Sequence, residues 1–211
     1  MFSIPFKTSS RSFARRKKPL RTSKLSENPK IRAILSEETA DNPARLSNPY
    51  CFIVDPLDGT KEFVKKNGEF TVNIALSFMG SVIASAVYAP ATGRLFYAAK
   101  GFGSYSSYGT GELFSRQNHI HVSDRRACLT VMMSRSHASD ALLALLEANK
   151  GKIGTTVCAG SSLKGCMIAA GEADVYYRLG LTCEWDTAAM QCVVEQAGGV
   201  LYQGDGSPHD L

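Results

Sequence analysis

A short run of strand formers, Cys51-Phe52-Ile53-Val54-Asp55, leads straight into Pro56-Leu57-Asp58-Gly59-Thr60, and this junction limits the architecture more than any other segment. The run predicts a strand that delivers Asp55 at its C-terminal end. Pro56 fixes its own φ and has no N–H, so the chain is expected to turn there. Two carboxylates three positions apart on a turn can converge, with the carbonyl of Leu57 between them. Carboxylate and carbonyl oxygens form a hard ligand set of the kind Mg²⁺ prefers. Gly59 lets a phosphate approach the backbone, and Thr60 offers a hydroxyl that can orient a water. Taken alone, the same residues also describe an ordinary Asx-type turn with Asp58-Gly59 as a hairpin signal. Two other acidic positions bear on the choice. Glu37-Glu38 closes the apolar stretch Ile34-Leu35, where a solvated surface pair is the ordinary expectation. Asp186 follows Trp185 at the start of a predicted helix, where a cap is.

The remaining pattern predicts a layered α+β chain. Residues 70–79 alternate apolar with small or polar side chains, as a strand with one buried face does. Residues 82–88 and 94–99 continue it as an antiparallel meander with a turn at Gly80. The stretch 101–111 (GFGSYSSYGTG) reads as a loop, with Tyr105 and Tyr108 on the surface and without a role. Residues 129–133 and 174–177 read as further strands. Helices are predicted over 140–149, capped by Ser139 and closed by Gly151, over 162–170, and over 186–197, ended by Gly198-Gly199. No apolar run reaches the ~18 residues that a membrane span needs.

The net charge of +5 is unevenly distributed. Residues 1–30 hold nine Lys or Arg and a single acid, Glu27, so the basicity belongs to that segment. Its Arg-, Lys- and Ser-rich composition predicts a basic tail or a transit-like leader outside a folded domain at 31–211. The run Arg11–Lys18 has one aromatic, Phe13, and no structured platform, which argues against a nucleic-acid-binding module. The six cysteines form no CxxC pair and mostly sit in apolar contexts. They predict small buried thiols in a reducing compartment rather than disulfides or zinc ligands.

In chain order, LSEE (35–38), VDPLDGTKEF (54–63), NGEFTVNIAL (67–76), VYAP (87–90), SRSH (134–137), GSSLK (160–164) and CEWDTAA (183–189) resemble the CysQ-type 3′(2′),5′-bisphosphate nucleotidases. These are Mg²⁺-dependent phosphatases of the inositol monophosphatase-like superfamily, and the resemblance spans residues 31–206. DPLDGT with a later WDTAA carries the superfamily; the KEF extension, NGEFTVNIAL and GSSLK point to the nucleotidase branch. The resemblance implies an α/β/α/β/α sandwich of the sugar-phosphatase type. It implies Glu37, Asp55, the Leu57 carbonyl, Asp58 and Asp186 as ligands for two or three Mg²⁺ ions. Glu37, Asp58 and Thr60 form the implied catalytic set, with Glu37 and Thr60 polarising the attacking water. Leu57, Asp58, Gly59, Thr60 and Asp186 would line the phosphate.

His137, Ser161, Lys164 and Arg178 match family positions that contact the nucleotide and its second phosphate. His137 equally suits a cap at a helix start, Lys164 a solvated helix surface, and Trp185 core packing. The implied activity is hydrolysis of the 3′-phosphate of adenosine 3′,5′-bisphosphate to AMP and phosphate. Rival expectations are an inositol or other small phosphomonoesterase, and an inactive metal-binding or interaction remnant. The expected partner is a small nucleotide bisphosphate, with no nucleic acid and no membrane span. The expected location is the cytoplasm, or an organelle if residues 1–30 act as a leader. Family members carry two helices with a T-x-A-D motif before LSEE and a final strand after the counterpart of GSPHDL. This sequence shows neither, so the first two helices and that strand are expected to be missing.

Overall fold

The computed structural model describes residues 33–110, 113–114, 117–135, 139–204 and 207. The basic segment 1–30 and His137 lie outside the described residues. The larger sheet starts with β1 (Ile34–Ser36), parallel to β2 (Tyr50–Asp58). A single-turn-and-a-half helix, α1 (Thr60–Lys65), then leads to β3 (Thr71–Phe78), β4 (Ser81–Ala89), β5 (Arg94–Ala99) and β6 (Gly103–Thr110), paired antiparallel in that order. β7 (Leu113–Phe114) and β8 (Asn118–Ile120) both pair with the far edge of β6. A second sheet has three parallel strands, with β9 (Leu129–Ser134) between β10 (Ile153–Ala159) and β11 (Val175–Tyr176).

Packing follows from the alternation in the strands. Ile53 lies opposite Ala75, and Val87 opposite Phe96, so their side chains share the buried face of the large sheet. Onto that face packs α4 (Glu184–Gln196), whose Ala188, Ala189, Cys192 and Val193 are buried. Its neighbour α3 (Leu163–Ala169) comes close because a side chain at Gly165 would run into Met190 of α4. The small sheet is covered on both faces. Met132 meets Leu163, Met167 and Ile168 around α3, while Val131 and Met133 meet Leu142, Leu145 and Leu146 of α2 (Asp140–Ala148). The layers therefore run sheet, helices, sheet, helix. This is the expected α+β sandwich; the expectation about the first two helices falls outside the described residues. No helix among the described residues is long and apolar enough to cross a membrane.

Four local expectations need correction. Residues 103–110 form a strand, not a loop: β6 has β5 on one edge and buries Ser104, Ser106 and Ser107. Tyr105 there stacks on Tyr97 across the strand pair, centroids 5.6 Å apart, rather than standing alone on the surface. Strand β2 does not stop at Pro56 but bulges and continues to Asp58. Strand β10 and helix α1 were not foreseen at all; Thr155, Thr156 and Cys158 of β10 are exposed, so no apolar run marked it. All six cysteines are free, but Cys128 and Cys158 are exposed and only Cys166 and Cys192 are fully buried.

Phe96 is the largest side chain with no exposure. Replacing it with Ala leaves a cavity between the large sheet and α4, and Phe96→Ala is expected to lower stability by about 3–5 kcal/mol. A shifted midpoint in urea unfolding, followed by far-UV circular dichroism, checks this.

Candidate active site

The bulge in β2 builds the site. Strands β2 and β3 lose register between Asp55 and Asp58, and Pro56, which cannot donate to a ladder, sits in the irregularity. Asp55 Oδ1 accepts the Leu57 N–H at 2.9 Å. The Asx turn and the convergence of carboxylates are thus the same structure, not alternatives. Asp186 arrives from the first turn of α4. One oxygen from each of Asp55, Asp58 and Asp186 lies within 4.8 Å of the other two.

Like charges this close must be held apart or compensated. Asp55 is only 1% exposed. Burial, then the charges of Asp58, Glu37 and Asp186, hold its carboxyl well above the usual aspartate range. The other two carboxylates are held by donors. Asp58 Oδ2 accepts from the Ser162 N–H and hydroxyl, both at 2.7 Å, from Asn73 Nδ2 at 3.2 Å and from Thr71 Oγ1 at 3.4 Å. Asp186 Oδ2 accepts from Thr182 Oγ1 at 2.9 Å, the Cys183 N–H at 3.0 Å and Arg178 Nη2 at 3.3 Å. In both residues every such bond lands on Oδ2. The Oδ1 atoms take none among the described residues. Three carboxylates with uncommitted hard oxygens, beside the Leu57 carbonyl, fit divalent cations of the Mg²⁺ type.

The remaining predicted residues surround this group. Glu37 follows β1 and is exposed; it lies outside the close group of three, though its charge still acts on Asp55. Gly59 adopts φ +86°, and a side chain there would meet the Glu69 carbonyl at 3.1 Å and Ser161 Cβ at 3.2 Å. Only glycine suits that conformation and that gap. Thr60 opens α1, its hydroxyl 3.4 Å from the Leu57 carbonyl. Ser161 is strained, at φ +48°, and its buried hydroxyl has no partner among the described residues.

Lys164 is not a solvated helix residue: it is 5% exposed. Its Nζ donates to the Ser161 carbonyl at 2.6 Å and lies 5.2 Å from the Tyr176 ring centroid. Burial lowers its pKa to about 8, with the Asp58 charge acting in the opposite direction. Arg178 lies beside Asp186 and also donates to the Leu181 carbonyl. Trp185 is partly buried against the core, as its packing role requires.

Sequence reasoning missed Thr71, Asn73, Ser162 and Thr182. Thr71 and Asn73 left a signal: both occupy inward positions of β3, where the alternation calls for apolar side chains. It also missed a clamp at the rim. Arg135 Nε and Nη2 bind Glu69 at 2.8 and 2.5 Å, and Nη2 donates to the Cys158 carbonyl at 3.1 Å. This joins the large sheet to the small one beside Gly160, where a side chain would strike the Glu69 carbonyl.

The two sheets with helices between them, and the acid-lined end of the large sheet, define a layered α+β protein with a candidate cation site. The chain belongs to the inositol monophosphatase family, whose model matches residues 18–211. It is 43% identical over 180 residues to a 3′(2′),5′-bisphosphate nucleotidase CysQ of Salmonella typhimurium, covering 84% of this chain and 69% of that protein. Its counterpart in Escherichia coli K12 is 45% identical over 75% of this chain and 61% of its own length. Inositol monophosphatase 1 of Homo sapiens is 30% identical over 81% of this chain and 59% of its own. The chain thus spans about three fifths to two thirds of these relatives. The crystal structure of CysQ from Bacteroides thetaiotaomicron superposes with a TM-score of 0.77 at 35% identity, covering 89% of this chain and 73% of that one.

The repulsion around Asp55 sets a pH dependence. Its carboxyl holds a proton more tightly folded than unfolded, so the contribution of Asp55 to metal-free stability is greatest below the ordinary aspartate value of 3.8 and is lost as pH rises through the interval up to the raised one. In chelator at pH 7, Asp55→Asn is therefore expected to raise Tm by at least about 2–4 °C, the shift for ~1 kcal/mol in a chain of this size. The same variant should lose the Tm increase that Mg²⁺ gives the parent. Differential scanning calorimetry with and without Mg²⁺ reads both effects.

Proposed function

We propose that this chain is a Mg²⁺-dependent phosphomonoesterase that removes the 3′-phosphate of adenosine 3′,5′-bisphosphate, giving AMP and phosphate. The observation that carries the reading is the meeting of Asp55, Asp58 and Asp186 from two distant segments, with oxygens left uncommitted. The names of the CysQ relatives supply the substrate class. Asp55, Asp58, Asp186 and the Leu57 carbonyl would hold the ions, with Glu37 as a further ligand from the end of β1. Such ions neutralise the dianionic phosphate and lower the pKa of water.

The chain's own groups divide the rest of the work. The Gly59 and Thr60 N–H groups, at the start of α1, would donate to the phosphate oxygens. Glu37 would accept a proton from the attacking water, and the Thr60 hydroxyl would orient that water. Arg178 stands at the site with its guanidinium beside Asp186, and would fork onto the second phosphate of the substrate. Lys164 adds positive charge beneath the Ser161 turn, while Ser161 and His137 would contact the nucleotide. A small diffusible substrate with two phosphates is the expected partner. The free thiols suit a cytoplasmic setting.

Phosphate release from adenosine 3′,5′-bisphosphate and from inositol 1-phosphate, each with Mg²⁺ or with EDTA, tests the reading. Release from the nucleotide, faster than from the inositol phosphate and abolished by EDTA, is expected. Asp186→Asn should reduce it to the uncatalysed background. Metal-independent release, or none from either ester, would overturn it.

A further inference from the structure

Ser162 occupies the N-cap position of α3, where a serine hydroxyl ordinarily accepts a backbone N–H of the first turn. Here it makes no capping bond. It is 3% exposed, and its hydroxyl lies 2.7 Å from Asp58 Oδ2 and 3.2 Å from the Asp186 carbonyl oxygen. It also accepts from Asn73 Nδ2 at 2.9 Å, and Asn73 in turn reaches Asp58 Oδ2. One side chain therefore touches β2, β3 and the first turn of α4.

We propose that Ser162 is a positioning residue. It fixes the Asp58 carboxylate relative to Asp186 and so sets the affinity of the acidic group for divalent cations. The proposal rests on the reading of the site as metal-binding. The hydroxyl has one proton, and the 2.7 Å contact directs it to Asp58 rather than to the Asp186 carbonyl. With the Ser162 N–H and the Asn73 amide, it occupies Oδ2 and leaves Oδ1 uncommitted among the described residues. Asn73 accepts a cost for this arrangement. Its Oδ1 is buried with no hydrogen-bond partner among the described residues. Flipping the amide would satisfy nothing, because it would bring the carbonyl oxygen against the Asp58 carboxylate. The donors on Asp58 thus outweigh an orphaned acceptor. Charge-assisted bonds of this kind hold an anion in place before any cation arrives.

Because the hydroxyl does not cap α3, removing it leaves the helix start and the Ser162 N–H bond as they are. Mn²⁺ binding to the whole 211-residue chain without substrate, measured by electron paramagnetic resonance, gives a readout independent of turnover. Ser162→Ala and the near-isosteric Ser162→Cys are each expected to weaken Mn²⁺ binding about 10- to 100-fold, the usual effect of losing an outer-shell partner. Their Tm in EDTA should fall by only about 3–6 °C, the loss of one hydrogen bond to a charged group. A variant that melts lower in EDTA yet binds Mn²⁺ as the parent does would make the hydroxyl merely structural and overturn the proposal. Parental affinity in both variants, with Tm unchanged, would overturn it too. A parent chain that binds no Mn²⁺ would instead bring down the metal-dependent reading on which the proposal rests.

Discussion

Three carboxylates gathered in a space with little water repel one another, and the local structure is organised around containing that repulsion. Asp55 is buried beneath the other two and answers by holding its proton more tightly. Asp58 and Asp186 are only half-buried and are each gripped by one oxygen. Apart from Arg178, the donors come from the backbone and from short hydroxyl and amide side chains. Positive charge is thereby kept beside the site, on Arg178 and beneath Lys164, and the uncommitted oxygens remain available to a cation.

Much of the frame is legible from the residues because local preference and packing agree there. Strands β3 to β5 alternate, and Ser139 caps α2 through the Leu142 N–H as its position suggests. Where burial is uneven the pattern fades. β10 is an edge strand with much of its surface in solvent, so it shows neither alternation nor an apolar run. β6 is built of Gly, Ser and Tyr, a composition that favours turns until β5 and β8 supply its hydrogen-bond partners.

The site divides in the same way. Asp55, Asp58 and Asp186 belong to motifs that carry their own signal. Thr71 and Asn73 fall within NGEFTVNIAL, but their part in the site is legible only as polar residues breaking the inward rhythm of β3. Of the two serines in the GSSLK segment, sequence reasoning chose Ser161, yet the bonds to Asp58 belong to Ser162. That distinction depends on the positive φ of Ser161, which turns the chain between them and is invisible in residue type. The burial of Lys164, itself an expected substrate contact, is illegible for a related reason. Its burial comes from Tyr176 and the Ser161 turn, which the sequence places on other elements.

The distance along the chain between Asp58 on β2 and its donors near residue 162 has a kinetic meaning. Contacts of such high sequence separation form late, because long loops must close before anything rewards the closure. Neither half of the polypeptide can assemble the acidic group alone, since the first contributes the strand end and the second both the serine and the helix. During synthesis the pocket therefore comes into being only after the segment carrying Asp186 has left the ribosome.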